Sequence, residues 1–340
     1  MKKRYIITFS VLFSCFTGMF AQKSANEILN TVKDRLTVSG YVQAGYEATT
    51  GDNSKNEFLL RRATLTVEGQ ITSQWSAVFQ YAFAGKGNIL NCYTQYDFRP
   101  EFSVRLGQFI TPFTIDNQLS PTSIELISTQ SLATRYLVGG TSADPAYGGH
   151  SGRDIGLMFL GSVLNKRLDY AFAIQNGQGI NIKDGNTQKD IVGKLDFHVL
   201  PAWTLSGSFI KGKGHAVGSS PYTGIVEGED YKRNRWSLGT TLNFNKVNIR
   251  AEYLAGKDKD TKSQGAYGLV CYEILPKLEI IGSVDYFDRN KDAKSRQTNY
   301  IGGLQYWFYP KCRLATQYSY QTEKHGDNTH LIQAQIQVQF

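Results

Sequence analysis

The side chains able to do chemistry are thinly spread along this chain. Its histidines are His150, His198, His215, His325 and His330, and its cysteines are Cys15, Cys92, Cys271 and Cys312. No GxSxG, HExxH or P-loop pattern surrounds any of them, so no nucleophile elbow, zinc protease or phosphate cradle is signalled. The cysteines lack CxxC spacing, which argues against a disulfide framework and against a thiolate metal site. His198 is expected to stand near Asp196 as a solvated polar pair. What remains is charge at fixed parity. Arg62, Arg105, Lys194, Arg250 and Arg313 share the polar face of alternating segments with Glu68, Asp97, Asp169, Asp196, Glu252, Glu273 and Asp285. Charges lined along one face sort ions by sign and do not break bonds. The expectation is therefore no catalytic residue, no cofactor and no metal. Lys and Arg are scattered and form no basic stripe, which argues against nucleic acid as a partner.

The elements that hold these charges are strands. From Thr329 to Phe340, Ile332, Ala334, Ile336, Val338 and Phe340 fall on one face and Gln333, Gln335, Gln337 and Gln339 on the other. The same period of two recurs in Leu36, Val38, Val42, Ala44 and Tyr46, and in Trp75, Ala77, Phe79, Tyr81 and Phe83. About sixteen such segments are expected, near 36–49, 58–70, 75–84, 89–98, 102–109, 153–162, 168–176 and 190–200, then 203–213, 231–244, 247–257, 264–275, 278–288, 297–309, 312–323 and 329–340. A soluble domain seldom ends on an exposed apolar strand, whereas a closed barrel in lipid has no edge and needs apolar side chains outward. A mean hydropathy of -0.33 is compatible with this, because half of each strand faces water in the lumen.

The amino terminus reads as a signal peptide over 1–21. Lys2, Lys3 and Arg4 precede an uncharged stretch from Tyr5 to Phe20 that is short for a membrane helix. Residues 22–35 are expected as a periplasmic segment and 36–340 as the barrel. Connectors alternate between tight turns, such as Pro201-Ala202, Asn245-Lys246, Pro276-Lys277 and Pro310-Lys311, and longer loops, among them 110–152, 177–189, 212–230 and 258–263. Short periplasmic turns and longer external loops give that alternation. Trp75, Phe98, Phe102, Trp203, Phe244, Trp307 and Tyr309 stand beside the tight turns and are expected as an interfacial girdle. The fold class is thus all-β: a transmembrane antiparallel β-barrel of about sixteen strands, in the outer membrane of a bacterium, with a long third loop.

A connector of about 40 residues is unusual unless it has a task. Its apolar content suits folding into the barrel, where it would narrow the lumen. Ser120 as cap, Pro121 at the first position and Ser123 to Leu126 predict a short helix. Phe113, Asp116, Glu125 and Arg135 are its candidate constriction residues. Arg250 and Glu252, or Lys194 and Asp196, are candidate ion pairs within the lumen.

Several blocks here form a pattern: Phe58-Leu59-Leu60-Arg61-Arg62-Ala63, Leu106-Gly107-Gln108-Phe109 with Pro112-Phe113, Tyr170 to Gly177, and Gly179-Ile180-Asn181 with Asp184. Together the sequence resembles the phosphate-selective porins O and P from about residue 36 to the carboxyl terminus. The resemblance implies a homotrimeric outer-membrane channel for small hydrophilic solutes or inorganic ions, with inward-folded loops and a basic ladder that leads anions such as phosphate. This chain lacks a dense ladder, because the inward charges are of mixed sign. A surface barrel whose loops dock a glycan or a partner protein is the alternative.

Overall fold

The computed structural model describes residues 34–50, 54–139, 144–324 and 326–340. The expected signal peptide and most of the segment 22–35 lie outside the described residues. Within them, sixteen antiparallel strands close into a barrel in which each strand pairs with its sequence neighbours and the first pairs with the last. The first half runs β1 Leu36–Thr49, β2 Lys55–Gln70, β3 Trp75–Ala82, β4 Asn88–Arg99, β5 Phe102–Ile110, β6 Arg153–Val163, β7 Leu168–Gln175 and β8 Asp190–Leu200. The second half runs β9 Trp203–His215, β10 Asp230–Phe244, β11 Val247–Asp258, β12 Thr261–Leu275, β13 Leu278–Asp288, β14 Arg296–Tyr309, β15 Cys312–Glu323 and β16 Thr329–Gln339. Closure joins β1 to β16 through pairs such as Val42 with Val338, and Gly40 exchanges backbone hydrogen bonds with Phe340. The terminal Phe thus seals the seam.

The alternation read from the sequence is the alternation of the wall. Val42, Leu238, Val284, Leu304 and Ile336 are exposed outward, while Gln43, Ser237, Asp285, Gln305 and Gln337 are buried inward. In lipid this places apolar side chains against acyl chains and polar ones within. Tight turns follow local chemistry. Pro276 and Pro310 fix the first turn residue, and Lys277 and Lys311 take the positive φ that follows, 69° and 62°.

Three expectations need correction. The loop expected at 258–263 is the two-residue turn Lys259-Asp260, because Asp258 pairs with Thr261 and the strands run on. Trp307 does not join the outer girdle. It shares the parity of the inward Gln305, and its indole N–H donates to Glu279 at 3.0 Å while Arg313 lies over its ring. The helix expected after Ser120 is a run of turns. The one α-helix of the third loop among the described residues is α1, Leu132–Leu137, capped by the Ser131 hydroxyl, which accepts from the Thr134 N–H at 3.1 Å.

Candidate functional site

Residues 111–152 join β5 to β6, and their hydrogen bonds reach the inward faces of β1, β2, β9, β11, β12, β13, β15 and β16. The reason the stretch after Ser120 is not helical is that its peptide groups bond the wall. Gln43 donates to the Pro121 carbonyl at 2.9 Å, Gln337 to Thr122 at 3.0 Å, Arg313 to Ile124 at 2.6 Å and Gln317 to Glu125 at 2.9 Å. The Ile127 N–H in turn donates to Gln317 Oε1 at 2.9 Å. A carbonyl taken by a wall amide loses little by leaving a helical ladder, and Pro121 has no N–H to offer one. The glutamine face of β16 and its neighbours is therefore an anchor for the loop.

Charge holds the next stretch. Arg250 on β11 donates through Nε to Asp116 at 2.9 Å and through Nη2 to Glu125 at 2.8 Å, and all three are buried. Tyr267 donates to the same Asp116 oxygen at 2.9 Å. Glu252 does not pair with Arg250. Both of its oxygens accept the Ile115 N–H at 3.0 Å. Lys194 and Asp196 do form an ion pair on β8. Higher in the barrel, Arg233 pairs with Asp190 and Arg235 with Asp258, the latter at 2.9 Å. Around these pairs, Phe113, Tyr136, Leu137 and Tyr147 of the loop pack with Val192, Ile210, Leu254 and Phe287 of the wall in an apolar core inside the lumen.

The loop residues nominated from sequence thus separate. Phe113, Asp116 and Glu125 do not border the opening. They are buried anchors, held by apolar packing and by Arg250. Arg135 is exposed on the free side of α1. Among the wall cations, Arg250 and Arg313 are buried under the loop, and Lys194 is nearly so.

Arg62 and Arg105 differ from these. A β-bulge opposite Gln43 and Ala44 places Arg61 and Arg62 consecutively on the inner face. Arg61 pairs with Glu47 at 2.8 Å. Arg62 meets neutral partners, Gln43 at 2.8 Å and the Thr129 hydroxyl at 3.1 Å. Arg105 donates through Nε and Nη2 to Gln95, at 2.9 and 2.6 Å, and its guanidinium lies 4.2 Å from the centre of the Tyr93 ring. Arg153 donates to Asn91 at 3.1 Å. None of the three has a carboxylate within salt-bridge distance among the described residues. The inner faces of β2, β5 and β6 thus carry three arginines without a direct carboxylate partner among the described residues, with Asp97 reached only through Gln95. The parity that picked Arg62 also applies to Arg233 and Arg235, which the sequence reading omitted.

His198 has a different partner from the one expected. Its Nε2 contacts Asp169 at 2.9 Å and its Nδ1 contacts the Thr204 hydroxyl at 3.0 Å. The order Asp, His, Thr copies a hydrolase relay, but acyl transfer also needs free N–H groups aimed at an oxyanion. The strand around Thr204 is paired on both sides, with β8 and with β10, so its amides belong to the sheet. Cys92, Cys271 and Cys312 are free thiols.

The fold is that of an outer-membrane porin, a sixteen-stranded barrel with a folded-in third loop. Residues 32–154 match the family described as "Phosphate-selective porin O and P", a stretch that holds β1 to β5 and the whole third loop. The blocks from Tyr170 onward lie outside that match. No curated protein matches the sequence. Among solved structures, the anion-selective porin from Comamonas acidovorans superposes with a TM-score of 0.70 at 14% identity, covering 90% of this chain and 99% of that one. Pseudomonas putida OprB gives 0.69 at 9% identity over 93% and 96%, and the trimer form of Vibrio cholerae OmpT gives 0.65 at 11% over 90% and 100%. At such identities the likeness is one of fold.

Proposed function

We propose that this barrel is a non-enzymatic channel for passive diffusion of small hydrophilic solutes, with a preference for anions. The observation that carries the preference is the set of three arginines, Arg62, Arg105 and Arg153, that border the opening without a carboxylate partner among the described residues. Rings or strips of one sign at a narrow zone raise the local concentration of the opposite ion. On the other wall Asp190, Asp258, Asp116 and Glu125 are held by the buried arginines Arg233, Arg235 and Arg250, and Glu252 and Asp285 are turned to backbone N–H groups of the loop. The third loop narrows the lumen from within, and the fold supports a homotrimer as in the trimer form of its OmpT neighbour.

The test is conductance of the purified protein in planar bilayers. Steady open steps are expected, with a reversal potential in asymmetric KCl on the chloride side. Deleting Ser120 to Leu137 should raise conductance, and an unchanged value would show that the loop does not constrict. A channel that never opens would favour the surface barrel with a binding or structural role, a reading to which the apolar core within the lumen lends some weight.

A further inference from the structure

Beside Arg105 lies a half-enclosed cavity of about 280 Å³ between the wall and the root of the third loop. Its polar end is formed by Arg105, Tyr93 and Asn91, and its apolar side by Pro112, Leu160 and Ala171. We infer that this cavity is a binding site for an amphipathic monocarboxylate: one carboxylate on Arg105 and a small ring or branched hydrocarbon against the apolar side. This rests on the channel reading above and gives its substrate a chemical class.

The guanidinium is prepared for one such ligand. Gln95 accepts from Nε and Nη2, and its amide donates onward to Asp97 at 2.7 Å. Gln95 thereby stands between the arginine and that acid. Nη1 makes no hydrogen bond among the described residues, so an N–H edge is left toward the cavity. Tyr93 beneath the guanidinium fixes its plane. Asn91 is already engaged, accepting from Arg153 and donating to Gln80 at 2.9 Å, which keeps a second positive charge one residue away.

Inorganic phosphate suits this cavity poorly. Its several charged oxygens need donors on every side, and here the donors stand at one end, while Pro112, Leu160 and Ala171 offer none on the other, which imposes a desolvation cost there. The same side chains favour an apolar group carried by a carboxylate. Benzoate and acetate are therefore the discriminating pair, equal in charge and different in apolar area.

The experiment measures block of chloride current by benzoate, acetate and phosphate in the wild type, Arg105→Gln and Ala171→Phe. Benzoate should block the wild type at a concentration about tenfold below acetate, by the extra apolar area it buries. Arg105→Gln should abolish block by both carboxylates, and Ala171→Phe should remove only the advantage of benzoate. Equal block by acetate and benzoate, or stronger block by phosphate, would overturn the site while leaving the channel intact. Benzoate titration of the detergent-solubilised barrel by calorimetry reads the site without any current. Heat of binding lost in Arg105→Gln supports the site even where no open steps occur, and no heat in the wild type overturns it.

Discussion

Two walls of one barrel use the same residue for opposite ends. On β10 and β11, Arg233, Arg235 and Arg250 are buried and each is paired with carboxylates. On β2, β5 and β6, Arg62, Arg105 and Arg153 are partly exposed and bonded to amides, hydroxyls and a backbone carbonyl. A buried arginine needs its N–H groups met, by acids at Arg233, Arg235 and Arg250 and by neutral oxygens at Arg313, whereas an exposed one with an acid would carry little field into the pore. The first wall holds the loop in place, and the second gives the opening its sign. Counting charges along the chain conceals this division, because both walls contribute equally to the total.

The sharpest way to break the comparison is to remove a buried partner. Arg250→Met leaves Asp116 and Glu125 buried without a cation, a loss of about 3–5 kcal/mol for such pairs. The loop should come away from β11, with larger and noisier conductance and a lower melting temperature in detergent. If selectivity changes while stability stays, Arg250 lines the pore and the division between walls is wrong.

Acid should act on the same wall. His150, in the third loop, is packed between Gly139 and Gly179, where a Cβ on either glycine would lie 2.8 Å from its ring. Burial, with Arg233 and Arg235 nearby, lowers its pKa from 6.5 to about 3. The loosened loop therefore binds a proton that the packed loop refuses. Stability contributed by the neutral ring is complete above about pH 6.5 and falls as pH drops toward 3, by about 3 kcal/mol at pH 4. Asp116, whose carboxyl is pushed up by burial, opposes this trend. The difference between wild type and His150→Asn isolates the histidine: the variant should lose less stability between pH 7 and pH 4, and parallel curves would refute the assignment.

Much of the barrel was legible in the sequence, and the reason is geometric. A strand with lipid on one side and water on the other has only one periodicity open to it, so β1, β8, β13 and β15 begin and end where the alternation does. The loop was less legible, because its conformation is set by partners far away in sequence. Nothing local to Pro121 and Thr122 says that Gln43 and Gln337 will take their carbonyls. One signal was present and passed over. Met158, Val192, Ile210, Leu254 and Phe287 are apolar at inward parity, which is misplaced in a wet lumen and marks where the loop docks. The bulge at Arg61 and Arg62 left no such trace, since two adjacent inward residues break the period that defines the face.

A smaller effect is expected at the glutamine anchors. Gln337 is fully buried and donates to the carbonyls of Thr122 and Lys311. Gln337→Leu keeps the volume but orphans both, a cost of about 1–3 kcal/mol. Melting should drop modestly, and the mean conductance should change less than in Arg250→Met. An effect as large as that of Arg250 would mean that peptide bonding, and not the ion pairs, holds the loop.

The smallest effect on stability belongs to the open wall, and it decides what that wall is for. Arg62 and Arg105 have no acid to abandon, so Arg62→Gln and Arg105→Gln together should cost little, within about 1 kcal/mol given the neutral hydrogen bonds they give up. Selectivity should nonetheless move several-fold toward potassium, because removing two charges that have no direct ion-pair partner from a narrow aqueous zone changes its potential directly. The inverse pattern, unfolding without a shift in reversal potential, would place these arginines among the anchors. Raising the salt concentration separates the cases further: a field acting through water is screened over about 10 Å at 0.1 M and less at 1 M, whereas a buried ion pair barely responds. Wild-type selectivity should therefore fade with salt while the Arg250 melting deficit persists.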